Sequence, residues 1–487
     1  MTKPIAINPV RNNNSKKTDK PSNVINRNII KFSLSTIFVF LICYILRINL
    51  AISLFLVSIL LYIKFSYKNL NLKPYAFLHL TLLFVIIFVT SYFILRQGWS
   101  EFWIPFSVIP MLSAILFNQL QLSLLLTVAS SVTVASLAHN NLYLGILFFI
   151  SATLSSIFVY GARRRITIIR AGFIVGFVQV ISLFFIERFS IQPLRNYIML
   201  MFNGIISGVI VLGILPVFEY LFKTITNISL LELADCNHPL LQRLMLEAPG
   251  TYHHSLIVGN LSESACAPVG ANALLARIGA YYHDIGKLKN PEYFSENQNQ
   301  ETSVIHDTLA ATLSKMVIIN HVKEGVELAK KYKLNPLVRD FILQHHGNSL
   351  VYYFYRRALE SLEEDQEIKE EGFRYPGPKP ETKEIAIVLL ADSVEASTRA
   401  LKESLPAKIE EVVHKIINNK FIDGQLDECN LTLKDLEKIS SVFVRILNGI
   451  YHSRITYPKE VLKSENNHKK PSEEGSHLSE KDKKSNS

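Results

Sequence analysis

Hydrophobic residues follow two different rhythms along this chain. Before about residue 222 they gather in long runs, near 29–46, 49–65, 76–95, 102–118, 121–138, 142–160, 168–186 and 197–222. Several runs reach the roughly 20 residues a helix needs to cross a bilayer, and the pattern predicts about eight transmembrane helices over 28–222. Beyond that point apolar residues recur every three or four positions, as they do along one face of an amphipathic helix. The stretches 274–281, 326–330 and 385–395 show this spacing, while alternating strand-like patterns and tight Asn-Gly turns are scarce. The expected fold class is therefore membrane all-α, a multi-span helical bundle followed by an all-α domain over 223–462. The polar stretches 1–27 and 463–487 lack core-forming residues and are predicted to be disordered tails, and the Pro/Gly-rich end of 363–380 predicts a surface loop.

Charge adds an orientation. The net charge is +10, which alone would suggest an acidic partner such as nucleic acid. The basic residues, however, lie mostly in the tails and the connections between apolar runs. Lys16, Lys17, Lys20 and Arg27 precede the first run, Lys64, Lys68 and Lys73 follow the second, Arg163, Arg164 and Arg165 follow the sixth, and Lys223 follows the eighth. If every run crosses, all of these share one side, which the positive-inside rule makes cytoplasmic together with both termini. Arg47, Arg96, Arg188 and Arg195 fall opposite, so the bias is imperfect. No nucleic-acid polymer is expected as partner; the lipid bilayer is. The apolar runs carry almost no ionisable residue at mid-depth, which favours an anchoring or sensing bundle over a transporter. The first run lacks a small-residue cleavage site and reads as an uncleaved anchor. Cys43, Cys236, Cys266 and Cys429 show no paired spacing, so a disulfide framework or structural zinc site is not expected, and the Ala-rich surroundings of Cys266 read as helix packing.

The candidate chemistry lies in the second half. Seven of the fourteen histidines fall between His253 and His346. Within Tyr282-His283-Asp284-Ile285-Gly286-Lys287, an imidazole and a carboxylate stand about 100° apart on one backbone and can flank a single pocket. Asp284 has two oxygens and can bridge two cations. His345-His346, followed by Gly347, repeats the arrangement, and Asp392 is a carboxylate behind an apolar stretch, where a buried acid needs a partner. Imidazoles and carboxylates drawn from distant segments suit a binuclear hydrolytic site with iron or manganese, zinc remaining open. Taken singly, each residue has a plainer reading. Of His253 and His254 one is a ligand, His254 preferred; His321 alone would be a surface helix histidine; His306-Asp307 reads as capping or packing.

The set His254, His283-Asp284 and Asp392 resembles the H…HD…D signature of the HD-domain metal-dependent phosphohydrolases, and His321 with His345-His346 resembles its binuclear branch. The runs Leu246-Glu247-Ala248-Pro249-Gly250-Thr251-Tyr252-His253-His254-Ser255, Tyr282 to Lys289 and Gln344-His345-His346-Gly347, with a multi-span region upstream, resemble the bacterial seven-transmembrane HD family over about residues 50–460. The resemblance implies hydrolysis of cyclic di-AMP to linear pApA at the inner face of the bacterial cell membrane. It implies two divalent ions, one held by His254, His283, Asp284 and Asp392 and the other by Asp284, His321, His345 and His346. Asp284 and Lys287 would be the catalytic residues, Lys287 reaching a substrate phosphate oxygen. A homo-oligomer is a further expectation. Two departures stand out. Only Arg47-Ile48-Asn49 joins the first two runs, where the family usually carries an extracellular domain. At Val304-Ile305-His306-Asp307-Thr308 the family's Asn-Pro-His-Asp-Lys stretch is reduced. The competing readings are a non-catalytic nucleotide receptor, separated from an enzyme by loss of ligands, and an HD hydrolase of another phosphoester.

Overall fold

A computed structural model describes residues 21–45, 48–66, 76–189, 193–298, 311–360, 368–401 and 405–451. Both expected terminal tails (except its last residues, 21–27) and the His306-Asp307 dipeptide lie outside them. The described residues contain helices and turns, with one isolated antiparallel bridge between Leu350 and Arg374.

The N-terminal region is built from α1 (Pro21–Ile45), α2 (Leu50–Ser66), α3 (Ala76–Arg96), α4 (Val108–Phe117), α5 (Leu120–Leu137), α6 (Leu142–Val159), α7 (Arg165–Ile186) and α8 (Leu194–Phe222). The described part of α1 begins at Pro21, inside the stretch expected to be a tail. Each of the eight apolar runs forms a helix, but among the described residues only five helices, α5 to α8 among them, are long and apolar enough to cross a membrane. The stretches Phe32–Ile45, Leu50–Ser66 and Glu101–Phe117 are shorter. Pro105 divides the last of these into a 3-10 turn and the ten-residue α4, about 15 Å long and buried along its whole length. The carbonyls of Phe102 and Ile104 at this break accept hydrogen bonds from Asn203 Nδ2 on α8 at 3.0 and 2.8 Å. Without water nearby, such backbone groups need a partner of this kind.

Glycines set how closely α7 and α8 approach. A Cβ at Gly204 would come 2.2 Å from the Gly176 nitrogen and 2.5 Å from the Gly172 oxygen, so the two backbones pack with nothing between them. Ser113, Ser123 and Ser156 then tie α4, α5 and α6 together through buried hydroxyls at 2.8 and 2.9 Å.

Helix α8 leads into the second region through Lys223, which takes a left-handed conformation (φ 50°). Glu219, still on α8, accepts from Thr226 N and Ser229 Oγ at the start of α9 (Asn227–Leu233). Arg165 at the head of α7 forms a two-bond pair with Glu232, and Asn335 donates to Thr224 O. Beyond these contacts lie α10 (Pro239–Glu247), α11 (Pro249–Cys266), α12 (Ala273–Tyr282), α13 (Ala311–Lys331), α14 (Pro336–Gln344), α15 (Tyr352–Glu360), α16 (Lys383–Arg399), α17 (Pro406–Ile422) and α18 (Leu433–Ile450). Residues 385–391 of α16 are all buried, so this helix is apolar on every side and forms the axis of the domain. Val258, Leu261 and Ala265 of α11, Ala276 and Ala280 of α12 and Phe443 of α18 pack around it.

Candidate metal centre

Five segments of chain deliver the candidate ligands. Helix α11 carries His254, the end of α12 carries His283 and Asp284, α13 carries His321, the end of α14 carries His345 and His346, and α16 carries Asp392. Gly286 lets the turn after Asp284 lie flush on α13, since a Cβ there would sit 1.8 Å from the His321 carbonyl oxygen. His254, His283, Asp284, His321, His345 and Asp392 are buried, and His346 is half-buried. His253, by contrast, is exposed.

The ligand atoms form two groups that share Asp284. In one, Asp284, His321, His345 and His346 each offer an atom within 4.8 Å of the others; in the other, His254, His283, Asp284 and Asp392 do so. The two oxygens of Asp284 divide between them. Oδ1 lies 3.3 Å from His321 Nε2 and 3.5 Å from His345 Nε2, while Oδ2 lies 3.2 Å from His283 Nε2 and 3.7 Å from His254 Nε2. Asp392 Oδ1 is 3.0 Å from His254 Nε2, and its Oδ2 is 3.7 Å from His346 Nδ1.

The backbone selects the tautomers. His283 Nδ1 donates to Ala280 O (2.6 Å), His321 Nδ1 to Ile318 O (2.5 Å) and His345 Nδ1 to Ile342 O (3.0 Å), each three residues back in the helix. His254 Nδ1 is held by the Glu395 carboxylate. As neutral imidazoles, all four rings would turn an unprotonated Nε2 toward the centre, as a metal ligand requires. His321 Nε2 and His345 Nε2 face each other at 3.3 Å. With both ring protons placed on Nδ1, that contact sets lone pair against lone pair. His283 Nε2 and Asp284 Oδ1 are also buried without a hydrogen-bond partner. Buried polar atoms normally have partners, and a cation in each group would supply them. The donor set thus fits two divalent cations.

Lys287 lies against this centre rather than free in a cleft. Its Nζ is 2.8 Å from Asp284 Oδ2 and 2.6 Å from Glu296 Oε1, and it sits over the Phe294 ring. Burial opposes charge on these groups, but their partners prevail: His283 and then Lys287 hold the Asp284 carboxyl well below the usual range, hydrogen bonding to His254 and His283 does the same for Asp392, and Asp284 and Glu296 hold Lys287 above its own. Tyr375 closes the other flank, its ring stacked on His346 at 4.3 Å. Glu395, Glu296 and Tyr375 were not among the sequence candidates. The one available signal was the i, i+3 spacing of Asp392 and Glu395 on a single helix face.

Comparison with known proteins places this geometry. Residues 31–226 match the model of the family described as 7TM receptor with intracellular HD hydrolase, and residues 251–397 match the HD domain model. The chain is similar to the cyclic-di-AMP phosphodiesterase PgpH of Bacillus subtilis, with 39% identity over 85% of this chain and 60% of that protein. It is also similar to the protein of the same name from Listeria monocytogenes, with 39% identity over 78% of this chain and 53% of that one. The chain thus spans a little over half the length of these relatives. The solved HD domain of L. monocytogenes PgpH in complex with cyclic-di-AMP is 46% identical and covered in full, over 45% of this chain, with a TM-score of 0.42.

Proposed function

From its membership of the family of seven-transmembrane receptors with an intracellular HD hydrolase, we propose that this membrane protein is a metal-dependent phosphodiesterase that opens cyclic di-AMP to linear pApA. The observation that carries the reading is Asp284, whose two oxygens face two histidine groups whose ring nitrogens converge. His254, His283, Asp284 and Asp392 would hold one ion and Asp284, His321, His345 and His346 the other, with iron or manganese best suited to these ligands. Bound ions would supply Lewis-acid polarisation of the phosphoryl oxygens and a water acidified towards neutral pH.

The protein's own residues hold that site in shape. The carbonyls of Ala280, Ile318 and Ile342 fix three imidazoles in the ligating tautomer, so none reorganises when substrate arrives. Lys287, anchored by Glu296, keeps Asp284 ionised and adds positive charge where negative charge builds on the phosphoryl group. The HD domain faces the cytoplasm in this reading, because the basic connections Arg163 to Arg165 and Lys223 lie at its end of the bundle.

Incubating the purified full chain with manganese or iron(II) and a panel of cyclic dinucleotides, with chromatography of products, tests the proposal. Conversion of cyclic di-AMP to pApA by the wild type is expected. Asp284→Ala should lose both turnover and bound metal, and full activity in a metal-loaded Asp284→Ala protein would sink the assignment.

A further inference from the structure

Among the described residues, the centre is most exposed at His346 and Asp392. His346 and Asp392 side chains keep 20% and 12% exposure, against at most 2% for His254, His283, His321 and His345. The turn that carries His346 continues into Ser349, whose N–H donates to His346 O at 3.1 Å. Tyr375, stacked on His346, donates its own N–H to Ser349 O at 3.0 Å. Onto this turn Lys420 reaches from the last turn of α17, its Nζ 2.8 Å from Ser349 Oγ.

Lys420 differs from the other cations around this opening. Lys287 lies between Asp284 and Glu296, Arg374 is paired with Asp423 and Glu370, and Lys379 is paired with Asp427. Among the described residues Lys420 donates to the Ser349 hydroxyl and has no carboxylate within ion-pair distance. Its side chain is half-buried, and burial disfavours its charge. Through Ser349, which is bonded to the His346 backbone, the ammonium is tied to the turn that carries a candidate ligand. A partly enclosed ammonium without a counter-charge, beside the open edge of a phosphodiester site, is suited to an anion that arrives with the substrate.

A cyclic dinucleotide carries two phosphodiesters on one ring. When one lies at the metal centre, the other must lie close by and keeps its negative charge throughout the reaction. We propose that Lys420 Nζ, together with Ser349 Oγ, holds the phosphate that is not being cleaved. This rests on the cyclic-dinucleotide reading above and adds a residue that selects two-phosphate substrates over simple diesters. Lys420 and Ser349 have no part in the ligand set, so their loss leaves hydrolysis of a one-phosphate diester intact.

The test compares full-length wild type, Lys420→Gln, Ser349→Ala and Lys420→Arg, all loaded with manganese, on cyclic di-AMP and on bis(p-nitrophenyl) phosphate, which has a single phosphate. Lys420→Gln is expected to raise KM for cyclic di-AMP by about tenfold or more, the scale of a lost charge-assisted hydrogen bond. Its kcat/KM on bis(p-nitrophenyl) phosphate should stay at the wild-type value, which also reports an intact centre. Calorimetric binding of cyclic di-AMP to metal-free protein should weaken in parallel, and Lys420→Arg should recover most of it. Equal loss on both substrates, or no loss on cyclic di-AMP, overturns the assignment of Lys420. A wild type that cleaves bis(p-nitrophenyl) phosphate but neither binds nor cleaves cyclic di-AMP overturns the substrate reading itself, and the Lys420 assignment with it.

Discussion

Asp392 and Glu395 stand one turn apart on α16 and reach the two nitrogens of the same ring, Nε2 and Nδ1 of His254. Glu395 thereby fixes how His254 is presented and makes it a stronger donor. Replacing Glu395 with Gln should weaken metal binding by about 10- to 100-fold, the usual cost of losing such an outer partner; a metal titration showing wild-type affinity would refute the role. Glu296 acts from the opposite side. Burial would raise its carboxyl, but the Lys287 ammonium outweighs this and brings it down to about 2. A depressed carboxylate stabilises the fold fully above its unfolded value of about 4.3, and the contribution drains away as pH falls towards 2. Melting temperatures of wild type and Glu296→Gln across that range should therefore converge as the solution becomes more acid. A difference that stays constant with pH would contradict the ion pair. The candidate ligands could be picked out by residue type because histidines are sparse elsewhere in the domain. Glu395 and Glu296 could not, since a glutamate on a helix or in a turn is usually a solvated one, and only the central position of α16 buries Glu395.

Helices show the same division between what periodicity reveals and what packing decides. The three- and four-residue spacing after residue 222 and the long apolar runs before it correspond to helices in the structure. Hydrophobicity alone does not register that Pro105 splits a run, so the 102–118 stretch yields a buried ten-residue helix. Nor does it reveal that the short turn after Asp284 must touch the backbone of α13. That contact depends on Gly286, and a methyl group at this position would overlap His321 O. Gly286→Ala is expected to push α13 away and cost about 1–3 kcal/mol, the usual range for overpacking. The same shift would carry His321 out of its group, so a thermal melt and a metal count should fall together. A variant with an unchanged melt and full metal content would show that the turn has room to spare.

At the scale of the whole molecule, the bundle and the HD domain meet without a flexible linker. Glu219 on α8 receives Thr226 N and Ser229 Oγ of α9, and Arg165 on α7 grips Glu232 at the other end of that helix. Glu219→Gln should loosen this joint and speed amide exchange over 224–234 by about tenfold, with α5 and α16 unaffected; exchange that stays slow would mean the joint is held by other contacts. Neither partner of these bonds is remarkable in the sequence, because their pairing spans a loop and two helices. A consequence follows for how any stimulus at the bilayer would arrive at the candidate metal centre. A tethered domain would sample many orientations and blur such a stimulus. Here α8 works as a shaft keyed to α9 at one end and, through α7, at the other, so turning or tilting the shaft applies torque directly to the body that holds Asp284.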